Sequence, residues 1–365
     1  MAQTQNCNRV TPSGFEEIPK LELHLHLEGA IPLITLWELV LKYGGTADVH
    51  SPDALRQRFR YRDFEHFIKT WVWKNNFIRE YDDFTLIAES VASNLSRQNI
   101  RYAEMFVSPP DFFRVGLKTQ RILEAVRAGF DRVPEITAAI VVDLVRDFGP
   151  ERAAITLREV AEVRQLGVAG VGIGGSEKQF PPEPFGPVFD AAREMGFHTS
   201  AHAGEAAGPE SIWGAIRHLR VDRIGHGTSA KDDPDLIDTM IRRRIPIEMC
   251  PISNVCTGAV RSYAAHPVKQ FFDRGVLLSV NTDDPMMFGN TLADEYDLLV
   301  REHGMGPEDM IRLMLDTVDM SWMAPDDKHV WRRRIIEDAN RLLKRPPVSD
   351  DGADAHSLLY IIPLE

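Results

Sequence analysis

Eight short apolar runs punctuate the chain, and longer amphipathic stretches separate them. The runs are "KLELHLHL" (20–27), "IRYAEMFV" (100–107), "ITAAIVVDL" (136–144), "GVAGVGIG" (167–174), "FHTSAHAG" (197–204), "DRIGHG" (222–227), "RIPIEMCP" (244–251) and "GVLLSVNTDD" (275–284). Each has the length of a buried strand. Between them apolar residues return at helical spacing, behind start signals such as Ser51 ahead of Pro52 in "SPDALRQRF" and Pro209 in "GPESIWGAIRHL". Eight strands alternating with helices predict an α/β chain folded as a (β/α)8 or TIM barrel; an open doubly wound sheet is the other architecture built from the same alternation.

No Gly-, Ser- or Pro-rich linker divides the chain and no repeat is visible, so residues 1–365 are expected to form a single domain with peripheral arms at 1–17 and 346–365. The segment between the first and second runs exceeds a plain βα unit, which predicts extra helices over the C-terminal mouth of the barrel. Phe64, Phe67, Ile68 and Trp71 recur there at helical spacing. Such a stripe fits a core face first, and a substrate-facing lid second. Phe67 and Trp71 are its candidate substrate contacts.

The first run carries the strongest chemical signal. Residues two apart in a strand share a side, so His24 and His26 project together while Leu23, Leu25 and Leu27 pack the other way. At the C-terminal end of a barrel strand that side is the active-site mouth. Other strand ends add to the pair: His202 and Glu205 in "AHAGE", His226 in "IGHG", Asp283 and Asp284 in "NTDDP". Gly29, Gly204 and Gly227 flank these groups and permit sharp turns. Imidazoles with one carboxylate suit zinc or another divalent transition metal, whereas magnesium and calcium call for oxygen-rich shells.

Composition removes several other functions. With 42 basic against 54 acidic residues, the net charge of −12 argues against nucleic-acid binding. The N-terminal residues show no secretory pattern and no apolar run nears the roughly 20 residues that span a bilayer, so a cytoplasmic protein without a membrane partner is expected. Cys7, Cys250 and Cys256 are few and lack Cys-x-x-Cys spacing, which suggests neither a disulfide framework nor a thiolate metal site. Cytidine-type deaminases pair His-x-Glu with a later Pro-Cys-x-x-Cys; here His202 and Glu205 stand at His-x-x-Glu spacing and "CPISNVC" has the wrong order and spacing of Pro and Cys. No motif specifies an oligomeric state.

Taken in order, "LHLHLEGA", "HAGE", "RIGHG", "CPISN" and "NTDDP" resemble the adenosine deaminase family of the metal-dependent amidohydrolases. The resemblance implies zinc-dependent hydrolytic deamination of a small 6-aminopurine, adenosine or 2′-deoxyadenosine first, with adenine or a 5′-modified adenosine such as aminodeoxyfutalosine as alternatives. It implies one zinc per chain held by His24, His26, His202 and Asp283, because the strand-four segment has no lysine to bridge a second metal. Glu205 would protonate N1 of the purine, and His226 would orient and deprotonate the metal-bound water. Asp284 would orient the attacking group and meet N7, and the backbone N–H of Gly175 would meet N3. Animal adenosine deaminases have Asp where this chain has Glu28, and a Glu there resembles adenine deaminases. Glu28 is therefore expected to contact substrate and to decide between nucleoside and base, with a helix-capping role as the other reading. Gly172 and Ser176 replace aspartates of many adenosine deaminases, and the following "KQFPPEPF" loop resembles bacterial branches. A non-catalytic relative would show loss of a ligand or of the acid; every such position is filled.

Overall fold

The computed structural model describes residues 16–343, so the expected arms lie outside it except for residues 16 and 17. All eight apolar runs form strands: β1 (Lys20–His26), β2 (Ile100–Val107), β3 (Thr137–Asp143), β4 (Val168–Gly172), β5 (His198–Ala203), β6 (Arg223–His226), β7 (Ile247–Met249) and β8 (Leu278–Val280). They pair in sequence order, and every pairing is parallel. The seam between the first and last strands closes at the mouth, where the His26 N–H donates to the Asp283 carbonyl at 2.9 Å and the Asp283 N–H donates to the His24 carbonyl at 3.2 Å. This is a (β/α)8 barrel rather than an open sheet, and its closing hydrogen bonds bring Asp283 beside both strand-one histidines.

The long connection after β1 holds the expected extra helices: α1 (Leu33–Lys42), α2 (Pro52–Arg58), α3 (Phe64–Asn75) and α4 (Tyr81–Arg97). Ser51 caps α2 by accepting from the Ala54 N–H at 3.1 Å, and Asp63 caps α3 by accepting from the His66 N–H at 2.8 Å. These bonds satisfy N–H groups that a helix start otherwise leaves without a partner. Among the described residues, no helix is long and apolar enough to cross a membrane.

Alternation along β1 separates two environments. Leu21, Leu23, Leu25 and Leu27 are buried in the layer between strands and helices, while Glu22 and His24 are buried on the opposite side. That side is a polar barrel interior. Arg223 of β6 pairs with Glu104 of β2 and with Glu248 of β7, each at 2.5 Å. Glu248 in turn takes the Nδ1 hydrogen of His24 at 2.7 Å. Pairs joining strands that are not neighbours can meet only inside the barrel.

Removing one partner of a buried ion pair leaves an uncompensated charge and typically costs about 3–5 kcal/mol. Arg223→Ala is expected to show a loss of that size in urea unfolding, because two carboxylates lose their cation together. A loss below about 1 kcal/mol, the range of exposed pairs, would show that the network is not closed to water.

Candidate active site

The strand tips converge on one cavity of about 810 Å³. His26, His202, Glu205, His226, Asp283 and Asp284 all line it, together with Gly175. His24 lies beneath them, fully buried. The backbone turns sharply at two of these tips: His226 has φ 63° and Asp283 has φ 66°, in the left-handed region that side chains seldom adopt. Residues held in such conformations cluster at functional sites, where the surroundings over-determine them.

Four imidazoles and one carboxylate crowd the floor. Nε2 of His26 lies 3.0 Å from Nε2 of His202 and 3.4 Å from Oδ1 of Asp283, and Nε2 of His24 lies 3.5 Å from the same oxygen. Nitrogen and oxygen ligands about 2.0–2.2 Å from a tetrahedral ion stand about 3.3–3.6 Å apart, so this donor set fits a zinc-sized cation. The grouping whose ligand atoms all lie within 4.8 Å of one another is His24, His202, His226 and Asp283, with His226 in the place expected of His26. The supporting bonds are those of a ligand set. Glu248 fixes His24 through its Nδ1 hydrogen and turns Nε2 toward Asp283, and Ser253 Oγ donates to Asp283 Oδ2 at 2.6 Å.

The electrostatics follow from burial and from this crowding of charges. Burial holds His202 well below its ordinary value and His26 down to about 3, so both rings are neutral and able to ligate. Burial also acts to lower His24, but Asp283 and Glu248 outweigh it and raise the ring to about 10. A cation taken up at that nitrogen must displace the proton. Burial, then the charges of Asp283 and Glu177, push Glu205 well above the usual carboxylate range, which favours its protonated form. Its Oε2 stands 3.5 Å from Nε2 of His226.

Several contributors escaped the sequence reading. Asp111, Asp143 and Asp147 line the cavity with Ser108, Val145 and Phe148. Asp143 ends β3, so the strand-end rule that found the histidines also points to it. Glu177 accepts from the backbone N–H groups of Gly204, Glu205, Ala206 and Ala207 and so fixes the loop that carries the acid. The Phe64–Trp71 stripe is a cavity wall: Phe64, Phe67, Ile68, Trp71 and Val72 all face the site. Asp111 holds α3 there by accepting from Trp71 Nε1 at 2.9 Å and from Asn75 Nδ2 at 3.0 Å. The "FPPEPF" loop is not part of the wall. Cys250 is fully buried and Cys256 partly buried.

Glu28 departs from both of its expected roles. It is not among the cavity-lining residues, and the helix after it begins without a side-chain cap. The chain turns directly after β1, with the Ala30 N–H on the His26 carbonyl at 2.9 Å. Strand alternation ends there, and the Glu28 carboxylate swings to the end of β2, where it accepts from the Ser108 N–H at 2.9 Å. Its own carbonyl takes a hydrogen bond from Lys74 at 2.7 Å. Burial pushes its carboxyl up to about 7.

A family model described as adenosine deaminase matches residues 19–338. The chain belongs to the adenosine deaminase family. It is 35% identical over 311 residues to the aminodeoxyfutalosine deaminase of Streptomyces avermitilis, covering 84% of this chain and 87% of the relative. It is 32% identical over 328 residues to the adenosine deaminase of Klebsiella pneumoniae, covering 88% and 98%. An amidohydrolase from B. ambifaria with bound zinc is 26% identical with a TM-score of 0.84, covering 93% and 96%. As a member of this family the chain is a hydrolase acting on C–N bonds, and its reaction is the hydrolytic deamination of a 6-aminopurine.

Because Glu28 ties β1 to the end of β2 and stays out of the cavity, Glu28→Ala is expected to lower the melting temperature. It should also leave the ratio of kcat/KM for adenosine to that for adenine within about threefold. A shift in that ratio of about tenfold or more would return Glu28 to a specificity role.

Proposed function

We propose that this enzyme deaminates a 6-aminopurine nucleoside with an uncharged 5′ side, adenosine or 2′-deoxyadenosine in its simplest form, using one zinc ion per chain. The observation that carries the nucleoside reading is the charge of the cavity. Asp111, Asp143 and Asp147 line it beyond the catalytic carboxylates, and no lysine or arginine does. Sugar hydroxyls can donate to such oxygens, whereas a 5′-phosphate would enter an anionic site with no partner. A second reading rests on the rim, where Val72 is 56% exposed and Phe148 36%. An apolar edge of this kind suits a nucleoside with a bulky 5′ substituent, the class that the aminodeoxyfutalosine deaminase relatives represent by name.

The residues divide the work as follows. His24, His26, His202 and Asp283 hold the metal, a reading supported by the spacing of His26 and His24 from Asp283 and by the neutral rings of His26 and His202. Bound zinc polarises water into a nucleophile near neutral pH. Glu205 is kept protonated by burial and delivers its hydrogen to N1, which makes C6 electrophilic. His226 and Asp284 orient the attacking oxygen from the same wall. Gly175, with φ 103°, brings its backbone to the substrate where a side chain would strike Asp147. Phe67 and Trp71 supply the apolar face beside the purine.

Two measurements test this assignment. The purified protein is expected to contain about one zinc, and Glu205→Gln should retain that metal while losing about 10²–10⁴-fold in kcat, the usual contribution of a general acid. Near-normal turnover by the variant would remove Glu205 from the acid role, and two tightly bound ions per chain would refute the mononuclear site. Ultraviolet assays should rank adenosine at least about a hundredfold above adenosine 5′-monophosphate in kcat/KM, because an unpaired phosphate is worth several kcal/mol in such a site. Equal or better turnover of the monophosphate would overturn the nucleoside reading, and preference for adenine would replace it by the base.

A further inference from the structure

Behind His226 runs a buried line of hydrogen bonds that starts from a donor of fixed identity. The backbone N–H of Val268 donates to Nδ1 of His266 at 3.2 Å. A backbone amide cannot accept, so this nitrogen is bare and the neutral ring carries its hydrogen on Nε2. Nε2 of His266 lies 3.1 Å from Oδ1 of Asn254, which accepts it. The amide of Asn254 is thereby oriented, and its NH2 donates to Nδ1 of His226 at 3.0 Å. Asn254 is 0% exposed and His266 4%, so water cannot substitute for any link.

We propose that Asn254 and His266 are positioning residues which together hold the proton of His226 on Nε2, the nitrogen aimed into the catalytic cavity. The geometry admits no other arrangement without loss of a buried bond. A hydrogen on Nδ1 of His226 would face the NH2 of Asn254. Turning that amide over would place its NH2 against the Nε2–H of His266, whose other nitrogen is already committed to Val268. Nε2 of His226 is itself buried and has no hydrogen-bond partner among the described residues, as expected of a donor that awaits an oxygen from outside.

This proposal rests on the deaminase reading and deepens it. A metal ligand needs a bare nitrogen, so a ring with its hydrogen on Nε2 stands outside the ligand set. That separates His226 from His24, His26, His202 and Asp283, although its ring lies among theirs. The same ring cannot take the proton of the attacking water onto Nε2; it donates a hydrogen bond to that oxygen instead. Protons balance without it. One water proton passes to Asp284, whose Oδ1 is buried and unpartnered, while the oxygen bonds to C6 and Glu205 gives its hydrogen to N1. Asp284 then returns its proton to the amine as the C6–N bond breaks, and Glu205 recovers one from the new hydroxyl as C6=O forms.

Long-range proton–nitrogen correlation spectra of ¹⁵N-histidine-labelled protein test the tautomer directly, in zinc-loaded and chelated samples, with the His226 signals assigned by their absence in His226→Asn. The expected pattern is Nε2–H in both samples, and a hydrogen on Nδ1 overturns the proposal. Asn254→Asp keeps the shape but can only accept, so it should draw a hydrogen onto Nδ1 of His226. Its kcat should fall at least about tenfold, with KM within about threefold and zinc content unchanged. His266→Gln, which can still donate to Asn254, should keep kcat near wild type, whereas His266→Leu should lose it. A kcat within about twofold of wild type in both Asn254→Asp and His266→Leu also overturns the proposal. The spectra of the chelated chain do not depend on turnover, so failure to deaminate any aminopurine would count against the enzymatic reading alone.

Discussion

The site depends on a line of alternating charge that runs through the barrel: Glu104, Arg223, Glu248 and then His24. Packing charges where a barrel more often stacks branched aliphatic side chains is costly in desolvation. The return is geometric. Glu248 takes the Nδ1 hydrogen of His24 and leaves Nε2 aimed at Asp283, and Arg223 keeps Glu248 ionised for that task. Gly225 completes the fit, because a side-chain carbon there would come within 2.8 Å of the His24 ring. The orientation of one imidazole is thus set by residues on three other strands.

Above this line, the reacting groups hang from turns and not from straight strands. Alternation brings His24 and His26 to the mouth, but His226 and Asp283 reach it through left-handed backbone at the ends of their strands. The loop bearing Glu205 would be free to swing if Glu177 did not collect four of its amide hydrogens. Arg146 grips the same strand tip from the other side, donating to the His202 carbonyl at 2.6 Å. His202 and Glu205, three residues beyond it, are held by side chains that do not line the cavity.

Much of this was legible in the sequence because a barrel turns strand order into spatial order. Short apolar runs located every strand, and the strand-end rule gathered His24, His26, His202, His226, Asp283 and Asp284 into one place. The rule lapsed one step past β1, where a turn redirected Glu28 toward Ser108. It could not find Glu177 or His266, which sit in loops whose conformation no periodicity encodes, or Asn254, on the short helix Pro251–Cys256. The Phe64–Trp71 stripe had the spacing of a core face and does bury apolar surface. Its placement over the mouth comes from Asp111, a residue 40 positions away from Trp71. Local pattern can say that a helix has an apolar face but not what that face meets.

The cation-free lining of the cavity has a consequence for how the enzyme would operate in a mixture. Most small molecules that carry an adenine ring in metabolism also carry phosphate, and a mouth that attracted anions would spend its time occupied by them. On the proposed nucleoside reading, carboxylates on the wall would make the abundant phosphorylated pool a poor competitor as well as a poor substrate. Occupancy would then follow the concentration of the unphosphorylated compound, even where that compound is the scarcer one.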